Sequence, residues 1–533
     1  MYQPFLISNY KTGYYTSMEP WMAPIDAFVT LENARCEKGV LSKRLGIAKI
    51  AQMSHGGVAK TYPINGLYVH TSSQYNWIIA CDRLRPNVYD VNSDALIDVS
   101  GDTDLFSGRA ADLFWFQIFD GKTYFTNGID GIYVFNGETF DPGSPAAVTA
   151  LDLTTDTASF TAAKMIFFLN DRLIAYDITD DGTLRPYRMR YSQALARGNT
   201  PVFTAGGYLD IPTDDTPVTG RRLGRDIYLW YENSIWKIGP SGNTALPFIP
   251  DLIRGDLGSK CRQVCIPFRK GLLTVGHKDL NFFDGFEVKP MNLPNLRDIL
   301  NTFEWESLKY SWGVYDQSNG RFYITFTATG SVYPDRILDY NINDNTAAIH
   351  IISAASMAMF DASGIPSWDM ADDAYAFDGA TMADMNITSQ YPLTTKGQLQ
   401  WFPIFGGQDG WLYQLFSGTD DAGSTIEFKA KSARFNPFSK TGERCALGRV
   451  AVLVDTSATA SFTINLYKNT SSTAYKTQTI TCTGSGDKHW ESIHAGGEMG
   501  DFHQIEFTND ASANTPVIHA TYLEMEAAGM IDP

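Results

Sequence analysis

A strand pair that recurs roughly every 50 residues is the feature that most constrains how this chain folds. It is clearest from Leu223 to Ile238, where two runs rich in aromatic and β-branched residues flank the polar turn Glu232-Asn233-Ser234. This composition suits a pleated, half-buried surface that reverses direction within a few residues, so it predicts a β-hairpin. Similar pairs lie at 121–137, 270–285 and 320–326, and weaker ones at 73–89, 170–176 and 410–416.

The spacing of these hairpins predicts the architecture. The polar residue that opens each one lies near position 73, 121, 171, 225, 271, 320 or 409. The gaps are about 48, 50, 54, 46, 49 and 89 residues, and roughly 50 is the repeat length of a four-stranded propeller blade. The one long gap predicts an insertion at 354–398. Because radial repetition gives short strands a shared core and few unprotected edges, we expect an all-β fold: a β-propeller of six to eight blades.

The chain is too long for one ordinary core. We predict an extended N-terminal segment at 1–58, the propeller at 59–423 and a C-terminal antiparallel β-sandwich at 424–533. The sandwich is predicted because apolar and polar residues alternate between Ser, Thr, Gly and Asp turns after Gly423. The predicted strands are 425–431, 448–455, 461–467, 477–482, 503–508 and 517–525.

Charge and hydropathy narrow the classes of partner. The net charge of −17 opposes tight nucleic-acid binding, which requires a surface of Lys and Arg. An acidic wall also repels phosphates, so the same charge is compatible with a channel through which nucleic acid slides. No stretch approaches the roughly 20 consecutive apolar residues of a membrane helix. The first residues lack the pattern of a signal peptide, and we expect synthesis and retention in a cytoplasm.

The usual catalytic and metal-binding motifs are not visible in the sequence. It contains no Gly-rich phosphate loop, no His-Glu-x-x-His and no Gly-x-Ser-x-Gly. Among the histidines only His489 and His494 are close, and we expect them to be surface residues flanking a turn. The six cysteines are predicted to be reduced core thiols, although Cys261 and Cys265 fall on one face of a predicted strand.

Two stretches of the sequence are rich in aspartate, the residue type that binds calcium. Their spacing does not match the alternating ligands of an EF-hand loop, so both are predicted to be solvated loops. The sequence therefore predicts no catalytic residue, no cofactor and no metal. The aspartates concerned are Asp369, Asp372, Asp373 and Asp378 in the insertion, and Asp177, Asp180 and Asp181 beside Gly182.

Residues near the N-terminus carry a family resemblance. The order Gly13, Pro20, Ala27, Glu32-Asn33, Gly39, Leu41 and Lys43-Arg44-x-Gly46 resembles the opening of tail nozzle proteins, also called tail tubular protein B-like proteins, and of related tail-hub β-propellers of short-tailed bacteriophages. Stretches 168–193, 234–242 and 282–285 resemble the blade elements of that family, so the likeness covers roughly 10–290. The residues of the family-like motif are Glu32, Asn33, Arg35, Lys43, Arg44 and Gly46.

The resemblance implies a structural virion protein. Such a protein forms a ring-shaped nozzle or hub, a homohexamer by resemblance, that retains packaged DNA and conducts it during ejection. The implied partners are copies of the chain, other tail proteins such as an adaptor or tail-fibre protein, and transiently the genomic DNA. The implied location is the virion tail, after synthesis in the host cytoplasm. No enzymatic activity is expected, and acidic or neutral side chains should dominate the channel.

Two other functions remain open at this stage. The first is a carbohydrate-binding or carbohydrate-cleaving propeller of a phage tail. Propellers host glycosidases that use paired carboxylates, but the Ser-x-Asp-x-Gly-x-x-Trp turn of sialidases does not occur here. The second is a scaffold that binds proteins through propeller loops. Fold alone does not decide between these functions.

Overall fold

The computed structural model describes residues 1–531, apart from 72–75, 91–92, 138, 143–146, 156–158, 197, 244, 278, 292–298, 329, 362–400, 457–458, 483–485 and 510–515. Almost all of the regular structure in this part of the chain is antiparallel β-sheet, which confirms the all-β prediction. Two short 3₁₀ helices, Trp305–Tyr310 and Ser439–Thr441, accompany the strands. Among the described residues, no helix has the length and apolar content needed to cross a membrane.

The N-terminal residues form short strands rather than an isolated extended arm. They are β1 Gln3–Ile7, β2 Gly13–Tyr14, β3 Ala27–Glu32, β4 Ala34–Glu37, β5 Val40–Lys43, β6 Ile47–Gln52, β7 Ser54–His55 and β8 Val58–Ala59.

Seven four-stranded antiparallel meanders follow within the described residues. Meander 1 is β9 Gly66–Thr71, β10 Asn76–Cys81, β11 Pro86–Asp90 and β12 Ala95–Asp98; meander 2 is β13 Trp115–Phe119, β14 Lys122–Thr126, β15 Tyr133–Asn136 and β16 Val148–Ala150; meander 3 is β17 Phe160–Leu169, β18 Arg172–Asp180, β19 Thr183–Tyr191 and β20 Gly207–Asp210; meander 4 is β21 Pro217–Leu223, β22 Asp226–Tyr231, β23 Ile235–Pro240 and β24 Phe248–Arg254. Meander 5 is β25 Cys265–Phe268, β26 Gly271–Val275, β27 Leu280–Phe283 and β28 Val288–Pro290; meander 6 is β29 Gly313–Asp316, β30 Arg321–Phe326, β31 Arg336–Asn341 and β32 Thr346–Ile351; meander 7 is β33 Ala354–Asp361, β34 Trp401–Gly407, β35 Trp411–Leu415 and the earlier β6.

The first strands of the meanders form a closed ring. Each of β9, β13, β17, β21, β25, β29 and β33 contacts the next in this order, and β33 contacts β9. The ring is fastened by β6, which precedes meander 1 in sequence but pairs with β35 as the outer strand of meander 7. The backbone hydrogen bonds between β6 and β35 therefore join the two ends of the series of meanders. No hairpin within a single meander makes such a connection.

The predicted hairpins are largely confirmed. The turn Glu232-Asn233-Ser234 joins β22 to β23, and the markers near 121, 171, 225, 271 and 320 fall where the first strand of a meander turns into the second. The marker near 409 instead lies between the second and third strands of meander 7. The predicted insertion was placed too early, because 354–361 is β33; the remaining predicted positions, with Asp369, Asp372, Asp373 and Asp378, lie outside the described residues.

The C-terminal strands form a two-sheet unit together with the N-terminal ones. They are β36 Phe428–Ser432, β37 Glu443–Asp455, β38 Ala460–Lys468, β39 Lys476–Cys482, β40 His489–Gly500, β41 His503–Asn509 and β42 Val517–Met530. One sheet has the order β4-β5-β42-β37-β40, with β1 also on β42, and the other runs β3-β36-β41-β38-β39 and continues into meander 6. The segment predicted as extended at 1–58 thus contributes strands to this unit and to meander 7.

Strand β40 was missed by the sequence analysis. Its apolar alternation is interrupted by Gly496 and Gly497, both with positive φ, so the stretch lacks a strand signature of its own. Each of the six C-terminal segments that were predicted overlaps a strand. The two-sheet unit and meanders 5 and 6 share one hydrophobic core, which includes Phe268, Phe322 and Val450.

Candidate functional site

A groove lies between meanders 1 and 7. Its volume is about 810 Å³, within the range of ligand pockets. One wall is formed by β6 and the β7–β8 hairpin, and the other by β12 and the loop that follows it. Trp411, at the start of β35, completes the lining.

The β7–β8 hairpin is fixed against meander 1 by hydrogen bonds from side chains to backbone carbonyls. The side-chain amide of Asn87 donates to the carbonyl oxygen of Ser54 at 2.8 Å, and the Ser54 hydroxyl donates to the carbonyl oxygen of Leu96 at 2.8 Å. Gly56 has a φ of 54°, and a Cβ there would lie 2.6 Å from the Asp102 carboxylate. The tip of the hairpin therefore comes close to the loop after β12 because it carries glycine.

Arg85 binds three carboxylates at the edge of the groove. Its guanidinium donates to Asp98 at 2.8 Å, to Asp102 at 2.6 Å and to Asp104 at 2.6 Å. Burial alone would lower the pKa of Arg85, but these charge-assisted hydrogen bonds outweigh it and raise the pKa. The Arg85 side chain is only 13% exposed, whereas that of Asp102 is 73% exposed. The loop after β12 is therefore held by a cation that stays charged.

The ionised form of Asp98 is stabilised in this cluster. Burial would raise its pKa, but hydrogen bonds from Ser100, Arg85 and the backbone N–H of Gly56 hold the pKa below its usual value. Both carboxylate oxygens of Asp98 accept such bonds. The Asp98 side chain thus positions the groove wall, while Asp94 and Asp102 are exposed at its rim.

The buried pair of His55 and Asp82 holds the backbone of Arg85 in place. His55 Nε2 lies 2.6 Å from Asp82 Oδ2, and Asp82 Oδ1 accepts the backbone N–H groups of Leu84 and Arg85 at 2.8 Å each. The backbone of Arg85 is therefore tied to the β7–β8 hairpin through His55. Both sides of the groove are connected by this contact.

Trp411 supplies an aromatic surface to the groove. It is half-buried, and Lys49 Nζ lies 4.7 Å from the centre of its ring. Its backbone N–H donates to Asp409 Oδ1 at 3.3 Å, and Asp409 Oδ2 accepts the hydroxyl of Tyr413 at 2.7 Å. Since Trp411 lies on a strand paired with β6, its backbone position in the wall is set by that pairing.

A second polar cluster lies at β17 and β18 of meander 3 and is largely buried. Arg262 Nη2 donates to the carbonyl oxygen of Lys164 at 2.7 Å, and Lys164 Nζ lies 2.8 Å from Asp177. Burial lowers the pKa of Arg262 to about 10, and it raises the pKa of Asp177 despite Lys164. The prediction of a solvated loop at Asp177 and Asp180 is wrong: both are buried in β18, because β18 lies inside its meander.

The motif residues Asn33, Arg44 and Gly46 join distant parts of the chain. Arg44 donates to Asn33 at 2.9 Å and forms two bonds with Asp421, at 2.6 and 2.7 Å. The side-chain oxygen of Asn33 also accepts the backbone N–H of Ile351 at 2.9 Å. A Cβ on Gly46 would lie 1.9 Å from the carbonyl oxygen of Asp420, so the backbones can approach only with glycine there.

The other motif residues lie along the same junction. Arg35 donates to Asp339 at 2.7 Å, and Glu32 lies 4.0 Å from Arg336. Lys43 ends β5 and has a partner of its own. None of the six motif residues lines the groove. Their contacts are between N-terminal strands and meanders 6 and 7, which is a structural role.

The remaining candidates from the sequence are the cysteines, two histidines and the turn at Asp181. The six cysteines are free and buried, as predicted. Cys261 and Cys265 belong to different hydrophobic clusters, so they do not share a site. His489 and His494 do not flank a turn, because both lie within β40. Asp181 and Gly182 form the expected turn, each with a positive φ.

The groove residues were not singled out from the sequence. Trp411 and Gln52 are far apart in the chain and meet because β6 pairs with β35. One local signal was available: Asp98, Asp102 and Asp104 are closely spaced and follow Arg85 by 13, 17 and 19 residues. Such clustering of opposite charges around a turn indicates a local ion-pair network.

Comparison with known proteins gives the following. No family model and no curated protein matches the chain. An exo-β-1,3-galactanase from Phanerochaete chrysosporium, solved with galactose, aligns with a TM-score of 0.27 and 10% identity over 89% of this chain and 100% of its own. A glycoside hydrolase family 43 arabinoxylan arabinofuranohydrolase from Bacillus subtilis, solved with cellotetraose, aligns with a TM-score of 0.25 and 11% identity over 94% and 96%. The extracellular domain of a hybrid two-component system from B. thetaiotaomicron aligns with a TM-score of 0.34 and 10% identity over 62% and 40%.

These matches correct three sequence-based predictions. The predicted nozzle function, the associated terms of phage tail and DNA ejection, and the prediction of no enzymatic activity are contradicted by these matches, which include carbohydrate-cleaving enzymes. At these TM-scores the likeness assigns no activity to this chain. The function has to be argued from the groove itself.

Proposed function

We propose that this protein binds a neutral carbohydrate chain in the groove between meanders 1 and 7. We further propose that the seven meanders are the blades of a β-propeller and that the two-sheet unit is a β-sandwich. The observation that carries the binding proposal is the groove itself, which is lined by Trp411 and rimmed by Asp94 and Asp102.

The chemistry of the lining suits a sugar. A pyranose ring has apolar C–H faces that pack on an aromatic side chain, and hydroxyls at its edge that need hydrogen-bond acceptors. Trp411 offers the first, and the exposed carboxylates of Asp94 and Asp102 offer the second. Ordered walls lower the entropic cost of binding, and here the walls are tied by Arg85 and by the His55–Asp82 pair.

Charge selects among carbohydrates. The rim carries exposed carboxylates and the chain has a net charge of −17. Uronic acids and sulfated sugars would therefore be repelled, with a strength that falls as salt is added. A neutral saccharide meets no such repulsion. We expect neutral oligosaccharides to bind better than anionic ones of the same length.

The test is titration calorimetry of the full chain with neutral oligosaccharides, among them cellotetraose and β-1,3-galactotriose, and with an oligogalacturonate. Trp411→Ala should weaken binding of the neutral ligand about tenfold or more, since the stacking surface is lost. Trp490→Ala is the matched control, because Trp490 is 48% exposed and lies on β40, away from the groove. Equal affinity of both variants, or saturation by the anionic ligand alone, would contradict the proposal. Measuring released reducing ends in the same samples shows whether a bound chain is also cleaved.

A further inference from the structure

Three potential metal ligands converge at one edge of the two-sheet unit. Cys482 is the last residue of β39, while His489 and Glu491 are alternate residues of β40, which belongs to the other sheet. Alternate residues of a strand share a face, so His489 and Glu491 point to the same side. One ligand atom from each of the three side chains lies within 4.8 Å of the others.

The imidazole of His489 is oriented as a ligand. Its Nδ1 lies 3.0 Å from the backbone carbonyl oxygen of Asp487, so Nδ1–H donates to that carbonyl and Nε2 presents its lone pair. This Nε2 is buried and has no hydrogen-bond partner among the described residues. The nearest carboxylate oxygen, Glu491 Oε1, is 3.6 Å away. A buried nitrogen left unsatisfied is costly, and a cation beside it would remove that cost.

We propose that Cys482, His489 and Glu491 bind a Zn²⁺ ion. The set of one sulfur, one nitrogen and one oxygen ligand suits Zn²⁺, which accepts all three and favours four-coordination. Three protein ligands leave one position for water. The side chains of His489 and Glu491 are otherwise partly exposed, at 29% and 34%. The ion would join β39 to β40 and thereby the two sheets at an edge where the backbone ladder does not connect them.

The first experiment is calorimetric titration of the chelator-treated full chain with ZnCl₂. We expect one ion per chain, and His489→Gln and Glu491→Gln should each lower the affinity at least tenfold. His494→Gln is the matched control, because His494 lies on the same strand with its side chain exposed. The proposal is overturned if no Zn²⁺ binds at micromolar concentration, or if His489→Gln and His494→Gln bind it equally.

The second experiment identifies the sulfur ligand. Cobalt(II) in place of zinc should give thiolate-to-metal absorption in the near ultraviolet, and Cys482→Ser should abolish it. Because Cys482 is buried, its substitution can prevent folding. In that case the cobalt spectrum of the wild-type chain decides: a thiolate band that disappears in His489→Gln supports the site, and a cobalt spectrum with no thiolate band refutes it.

Discussion

The side-chain amide of Gln263 donates a hydrogen bond to the backbone carbonyl oxygen of Phe114 at 2.7 Å. Gln263 lies just before β25 of meander 5, and Phe114 lies just before β13 of meander 2, so the bond joins two meanders that are not neighbours in the ring. Leu113 packs in the same cluster as Trp312 of meander 6. Side chains from three meanders therefore fill this end of the ring.

Removing that cross-ring contact should destabilise the protein. Gln263→Ala deletes the donor and leaves a buried carbonyl without it, and we expect the free energy of unfolding to fall by about 1–2 kcal/mol. Urea denaturation measures the change. Gln478→Ala, at an exposed position of β39, serves as the control and should stay within about 0.5 kcal/mol of the wild type. Two equal midpoints would show that the Gln263 bond contributes nothing.

Arg44 should be among the most sensitive charged positions. Its side chain is fully buried and is bonded to both oxygens of Asp421 and to Asn33. Arg44→Ala leaves the Asp421 carboxylate without its partner, and about 3–5 kcal/mol should be lost. The variant Arg225→Ala, at an exposed arginine, should unfold like the wild type. A small effect at Arg44 would mean that the junction of the N-terminal strands with meander 7 is held by other contacts.

Gly46 should tolerate no side chain. A Cβ would lie 1.9 Å from the carbonyl oxygen of Asp420, a backbone atom that cannot rotate away. We expect Gly46→Ala to cost about 3 kcal/mol or more, because the two segments must separate. Gly255→Ala is a fair comparison, since its Cβ would be 4.0 Å from the nearest atom, on Leu252. Thermal melting of the two variants is the measurement, and a melting temperature for Gly46→Ala equal to that of Gly255→Ala would contradict the steric explanation.

Two buried histidines should make stability depend on pH. Burial lowers the pKa of His70 to about 4 and that of His350 to about 4. Each folded-state pKa is below the unfolded value of about 6.5, so the unfolded chain takes up protons first as the solution is acidified. The stability present above pH about 6.5 is therefore lost progressively as pH falls towards about 4, by roughly 3 kcal/mol for a fully buried group such as His70.

The contribution of His70 can be isolated from the slope of the unfolding free energy against pH. His70→Gln should reduce the proton uptake on unfolding between pH 4 and 6.5 by about one proton, whatever its effect on absolute stability. Urea denaturation at a series of pH values gives that slope. In His494→Gln, whose histidine is exposed, the slope should match the wild type. An unchanged slope in His70→Gln would show that His70 is not buried in the neutral form.

The local β-structure follows from short stretches of the sequence. Alternation of apolar and polar residues and turns such as Glu232-Asn233-Ser234 specify antiparallel hairpins, because both the period and the turn act over a few residues. The repeat of about 50 residues likewise predicted a series of similar strand units, six to eight in number, since each repeat encodes the same unit. Where this local signal was weak, as at Gly496 and Gly497 in β40, the strand was missed.

Only the tertiary structure decided which distant segments pair. The pairing of β6 with β35 and of β1 with β42 joins opposite ends of the chain. Such contacts depend on burial of surface contributed by many other strands, which no short window of sequence expresses. The same holds for both sites: Trp411 and Asp102 line one groove, and Cys482 lies near His489, only because two meanders or two sheets pack side by side. Local sequence patterns specify the strands, and long-range packing brings together the side chains of the two sites.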